Sequence, residues 1–416
     1  MNILIPSAHI IDPRIPENSQ PKSILIENGM ISRIEDSIEL PESSSLIKTP
    51  ANLHISIGWL DMHANFCDPG FEHKEDLSTG INAAASGGFT GVALMPGTLP
   101  PVQSKSEIEY LINKTRNALV DIFPIGALSQ NREGRELTEM YDMSQSGAKA
   151  FSDDKKSVMD SGVLLRALLY VKNFNGLVIS YADDKNISGK GSMHEGIQNT
   201  LLGLKGIPAL AEELMIIRDI YLTEYSGSKI HFSTISTAGS VDLIRKAKAR
   251  GVSVTAEICA HQLAFDDKSL EGFDSHYKVK PPFRSENDIV ALKAGLADGT
   301  IDAICSDHTP ENSEMKIREF EHAAFGIIGL ETAYAIANTH LKGILSTLEL
   351  IQKIAIRPRE ILNISIPEIK VGAAANLTLF DPEMRWIYAA SHIKSKSKNT
   401  PFIGMSFVGK PIAIIN

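Results

Sequence analysis

The sequence predicts a (β/α)8 TIM-type barrel with a small β-sandwich-like domain built from both termini. Three observations carry this. Eight apolar runs alternate with helical patterns between residues 53 and 364. Short strand-like runs with turn residues, and no helical pattern between them, fill residues 1–52 and return over 365–416. Acids, imidazoles and small polar residues directly follow several apolar runs, where such a barrel places its chemistry.

Taken in order, Asn2–Ile5, His9–Ile11, Ser23–Ile26, Met30–Glu35 and Ser45–Thr49 read as strands, separated by turn signals such as Asp12-Pro13 and Asn28-Gly29. The barrel strands are expected at Gly58–His63, Thr90–Met95, Asp121–Ala127, Ala148–Phe151, Leu177–Tyr181, Lys229–Ile235, Val252–Ile258 and Ala303–Ser306. Helical patterns lie between most of them, including Leu164–Lys172, Ile207–Tyr225 and Ala238–Arg250, with Gly251 as a stop signal for the last. Gly87-Gly88 reads as a turn from helix to strand. Strand character returns at Leu377–Phe380, Trp386–Tyr388, Ser406–Val408 and Ile412–Ile415, and Lys394–Lys398 reads as a solvated loop. The domain reading is therefore a composite β domain, 1–52 with 365–416, around a barrel of 53–364.

Bulk properties exclude several classes of function. Lys plus Arg total 41 against 50 for Asp plus Glu, a net charge of −9, which argues against nucleic acid or an anionic membrane as partner. No apolar run reaches bilayer length, and the N-terminal residues lack the basic and apolar regions of a signal peptide. Three cysteines, Cys67, Cys259 and Cys305, make no disulfide framework, so the expected location is the cytoplasm.

The most informative stretch is Gly58–Gly70. Its apolar run ends in Asp61 and His63 and breaks at Asp68-Pro69-Gly70. An acid and an imidazole at the end of a buried strand are how a barrel enzyme starts a metal site. The later runs are followed by Pro96-Gly97-Thr98, Ser152-Asp153-Asp154, Asp183-Asp184, Ser236-Thr237, Cys259-Ala-His261 and Asp307-His308, with Tyr181 and Ser233-Thr234 at strand ends. Asp154, Asp183 and Asp184 read most simply as solvated loop acids, and His231 as a satisfied core histidine. His261 and His308 read as supporting residues, and Cys67 and Cys305 as buried structural thiols.

Asp68–Asp76, Ala83–Thr90, Phe151–Asp154, Gly206–Pro208, Ser236–Ser240, Leu296–Asp302, Phe325–Glu331 and Ser395–Phe402 together resemble a dihydroorotase of the amidohydrolase superfamily, of the type that pairs with aspartate carbamoyltransferase. The resemblance spans nearly the whole chain. It implies a two-metal site that opens a cyclic amide, in which metal-activated hydroxide attacks and a strand-eight aspartate shuttles the proton. The carry-over is partial. His63 matches the first histidine of the metal pair, but Asn65 replaces the second. Asp153 matches the bridging carboxylate, and Asp307 the strand-eight aspartate, here a relic or a weak catalytic group. Tyr181 and Thr234 stand where two further histidines are implied.

The implied substrate clamp departs as well. Cys67 replaces its arginine, and Gly97 and Lys280 replace asparagines. Glu311 stands where a histidine is usual. Tyr and Thr hydroxyls are poor zinc ligands, so the second metal position is expected to be empty. His63, Asp153 and Asp307 leave room for a single zinc. Two readings of function follow: a non-catalytic homologue that partners aspartate carbamoyltransferase or an active dihydroorotase, itself a homo-oligomer, or a mononuclear cyclic amidohydrolase. A sensor of a pyrimidine intermediate is a third, weaker reading.

Overall fold

The computed structural model describes residues 2–14, 20–40, 44–46 and 50–416. The N-terminal strands are β1 (Asn2–Ile11), β2 (Lys22–Glu27), β3 (Met30–Glu35), β4 (Ser44–Leu46) and β5 (His54–Ile57). The end of the expected Ser45–Thr49 strand, beyond Leu46, lies outside the described residues. The barrel strands are β6 (Trp59–Ala64), β7 (Phe89–Leu94), β8 (Asp121–Gly126), β9 (Ala150–Phe151), β10 (Val178–Tyr181), β13 (Ile230–Ser233), β14 (Val254–Cys259) and β15 (Ala303–Cys305). A two-stranded excursion, β11 (Met193–His194) and β12 (Gly206–Ile207), interrupts them. The chain closes with β16 (Leu377–Ile387) and β17 (Ser406–Ile415).

All eight expected barrel strands are present, each parallel to its neighbour in the order β6-β7-β8-β9-β10-β13-β14-β15. The ring closes through a bridge between Ala64 and His308, where the Asn65 N–H donates to the His308 carbonyl at 2.9 Å. Asp61 secures the same seam. It accepts from the Ser306 N–H at 2.7 Å and from the Ser306 hydroxyl at 2.6 Å. Its carboxyl is pushed up to about 7, chiefly by burial.

Local chemistry sets the helices around this wall. Helix Ser161–Lys172 starts where Asp160 accepts from the N–H groups of Gly162 and Val163, and it buries Val163, Leu164, Ala167, Leu168 and Val171 on one face. Helix Ala238–Ala249 is capped by Thr237 and is followed by Gly251 at φ 82°, the stop expected from sequence. The helix expected from Ile207 begins at Ala209, because Ile207 pairs with His194 in the β11–β12 ladder. At the Gly87-Gly88 turn, Gly88 has φ 89° and a Cβ there would lie 2.7 Å from the Trp59 ring, so both backbone and space demand glycine.

Both chain ends build one seven-stranded sheet, ordered β17-β16-β5-β1-β2-β3, with β4 also on β1. The four C-terminal runs expected as separate strands are two long bent ones. Pro382 and Pro411 fall at or beside register shifts, so the strands continue through bulges where the sequence suggested ends. Ile5, Ile24, Ile26, Ile31, Ile55, Leu377 and Leu379 pack into a single cluster, which ties the termini together. The Lys394–Lys398 segment is anchored, not merely solvated. Its three lysines are exposed, with the Lys396 and Lys398 ammonium groups partnered, while Ser395 and Ser397 are buried and the N–H groups of Lys394 and Ser395 donate to Glu331.

Candidate active-site mouth

The residues that follow the barrel strands converge on His63. This imidazole is 1% exposed. Its Nδ1 lies 2.8 Å from Ser233 Oγ and 3.3 Å from Glu257 Oε1, and its Nε2 lies 3.0 Å from Asp154 Oδ1 and 3.5 Å from Asp307 Oδ1. Burial and the Lys155 ammonium push the ring down, but Asp154, Glu257 and Asp307 outweigh them and hold it up at about 9. Asp154 is also buried, yet the His63 bond and the Arg132 and Lys155 charges bring it down to about 2. His63 thus lies between acids whose charges favour its protonated form.

Lys155 completes the cluster. Its Nζ lies 2.8 Å from Asp307 Oδ1, 3.2 Å from Thr234 Oγ1 and 5.0 Å from the centre of the Tyr181 ring. Burial pulls this ammonium down, but the Asp307 and Asp154 charges keep it above the usual lysine value. An internal cation therefore sits among the residues that replace the second-metal histidines. Cys67, Arg132, Asp154, Thr234 and Asp307, all around this mouth, have left-handed backbones with φ between 48° and 60°. Such strain persists only where the surroundings fix it.

The structure corrects several sequence-based assignments. Asp153 does not face His63: both its oxygens accept from Ser129, through the N–H at 2.9 Å and through the hydroxyl. Asp154 takes that place and is buried rather than a solvated loop acid. The expected zinc set of His63, Asp153 and Asp307 is therefore not assembled. Asp183 is buried against Lys280 at 2.7 Å, and Asp184 caps the short helix Lys185–Ser188. Cys67 is buried, and burial raises its thiol to about 12, which leaves it unreactive. Above Gly97 lies Arg132, whose Nη1 would be 2.6 Å from a Cβ placed there; Asn65 Oδ1 would be 3.1 Å away. Glu311 pairs with Lys74 at 2.7 Å, and His308 with Glu75 at 3.4 Å. His231 bonds Thr255 at 2.8 Å and lies 3.7 Å from Glu257.

Four residues of this mouth escaped the sequence reading of function: Arg132, Asp154, Lys155 and Glu257. Glu257 had a signal, an acid inside the apolar run Val254–Cys259, which must find a buried partner. A two-metal set does not fit the mouth. Its implied ligand positions hold Asn65, Tyr181 and Thr234 in place of histidines, and Asp153 is turned to Ser129. Among the described residues, the group with metal-ligating atoms in mutual reach is instead Cys259, His261 and Asp307.

Barrel, terminal sheet and this ring of acids and imidazoles define an amidohydrolase-type protein. L-hydantoinase (dihydropyrimidinase) from Arthrobacter aurescens has the same fold, with TM-score 0.85 and 22% identity over 99% of this chain and 94% of that one. A family model described as dihydro-orotase-like matches residues 54–240. The dihydroorotase of Citrifermentans bemidjiense is 41% identical over 99% of this chain and 97% of its own length, and that of Pelotomaculum thermopropionicum is 42% identical over 100% and 97%. The chain belongs to the dihydroorotase family. No helix among the described residues is long and apolar enough to cross a membrane.

Proposed function

We propose that this chain is a non-catalytic dihydroorotase homologue of cytoplasmic pyrimidine biosynthesis. It acts as a structural or regulatory partner of aspartate carbamoyltransferase or of an active dihydroorotase, as part of a homo-oligomer. The observation that carries this is the charge balance at the mouth. Lys155 pairs with Asp307, and His63 lies between Asp154 and Glu257, so protein cations are partnered with the acids that a metal would otherwise meet. The absence of arginine at Cys67 and of asparagine at Gly97 removes the implied grip on a substrate carboxylate.

A scaffold also needs a docking face. Helix Ala209–Ser226 exposes Leu210, Leu214, Tyr221 and Tyr225, which fall within about 60° of one another at helical spacing. The preceding helix, Ile197–Leu202, exposes Ile197 and Leu201. Exposed apolar surface of this kind supports a role in association.

The test is dihydroorotate ring opening and closure by the purified chain, supplied with zinc or manganese, beside the Citrifermentans bemidjiense relative. The expected rate lies at least about 10³-fold below the relative's, because cooperating catalytic groups fail together. A rate within about tenfold of the relative's would overturn the reading.

A further inference from the structure

We propose that Cys259, His261 and Asp307 form a site for one thiophilic divalent cation of the zinc class, which shares only Asp307 with the implied metal positions and is contested by Lys155. Cys259 ends β14, His261 lies on the following 3-10 turn Ala260–Leu263, and Asp307 follows β15. One ligand atom from each lies within 4.8 Å of the other two.

The imidazole of His261 is the independent observation. It is 1% exposed, and neither of its ring nitrogens has a hydrogen-bond partner. Its ring packs edge-on against Phe283, with centroids 5.7 Å apart. A buried imidazole left wholly unpaired is costly, so this geometry is that of a group awaiting a ligand. The neutral ring offers a nitrogen lone pair, as a metal requires.

One sulfur, one nitrogen and one oxygen suit zinc or cobalt, whereas magnesium and calcium prefer oxygen alone. Donors across a tetrahedral zinc lie about 3.5 Å apart, so side chains already within 4.8 Å need only small movements to bind. Burial holds the Cys259 thiol up at about 11. Binding therefore forms the metal–sulfur bond and releases the thiol proton to solvent. Thiolate and Asp307 carboxylate then balance the dication. Lys155, whose side chain is 21% exposed, gives up its contact with Asp307 and turns toward water. None of this depends on whether the chain is catalytic.

The full-length protein, stripped with chelator, is titrated with cobalt(II). The proposal expects a thiolate-to-cobalt absorption band that saturates at one ion per chain. Cys259→Ser abolishes it, and His261→Gln weakens binding at least about tenfold. Lys155→Gln tightens binding about tenfold, by removing a like charge. No band in either the native protein or Lys155→Gln, or a band that survives Cys259→Ser, would overturn the proposal. Should Cys259→Ser fail to fold, proton release decides: zinc binding to the native protein must release the Cys259 thiol proton to a weakly buffered solution, and zinc binding without proton release refutes the site.

Discussion

Lys155→Met is expected to lower the free energy of unfolding by about 3 kcal/mol, read as a lower urea midpoint at unchanged slope. Asp307 is 3% exposed, and Lys155 Nζ is its nearest cation, at 2.8 Å. Taking away one partner of a buried ion pair strands the other charge, and that penalty exceeds what the pair itself contributes. The reciprocal change, Asp307→Asn, is milder, because the partly exposed Lys155 reaches water. Lys155→Met with Asp307→Asn should recover most of the loss, since the two act on one interaction. Additive losses in the double variant would show that Lys155 and Asp307 do not act as a pair.

The second large effect is on pH dependence. Folding holds His63 at about 9, against 6.5 for the free group. The protonated ring therefore favours the native state. Its contribution is fully present below pH 6.5 and is lost as the pH rises through 9, about 3 kcal/mol in all. Asp61, pushed up to about 7, acts in a lower window: the folded state keeps its proton while the unfolded chain ionises, so stability falls between about 3.8 and 7. Lys316 and Lys353, which burial lowers to about 8, act with the opposite sign as the pH rises, so His63 is read from the difference between native protein and variant. His63→Gln should remove the loss assigned to His63 between pH 7 and 9, as measured by urea unfolding at each pH. Native and variant profiles that run parallel between 7 and 9 would show that His63 is not a charged ring between acids.

Much of the fold was legible in the sequence because it rests on local rules. Apolar runs of strand length, helix caps and the glycine stop at Gly251 report on their own neighbourhoods, and the eight barrel strands follow from them. The terminal strands were read as four short runs where there are two, since a bulge at or beside Pro382 or Pro411 lets pairing resume beyond it.

The site was less legible, because its partners are joined by barrel closure and not by spacing. Adjacent Asp153 and Asp154 are equivalent in composition. Which one faces His63 depends on the left-handed backbone of Asp154, at φ 54°, and on the Ser129 hydroxyl that captures Asp153. The role of Lys155 needs Thr234 and Asp307, each brought in from a distant strand end. Replaced ligands can be read from a sequence. A cation filling their place can be read only once the ring is closed.

The most direct test of this account is the number of zinc ions held per chain by the native protein at saturation, measured by elemental analysis after removal of loosely bound metal. A mouth neutralised by Lys155 and His63 admits no more than one, held by Cys259, His261 and Asp307. Two ions per chain, with loss of one in a His63→Gln variant, would contradict the account, because a two-metal site would then coexist with the charges said to have replaced it.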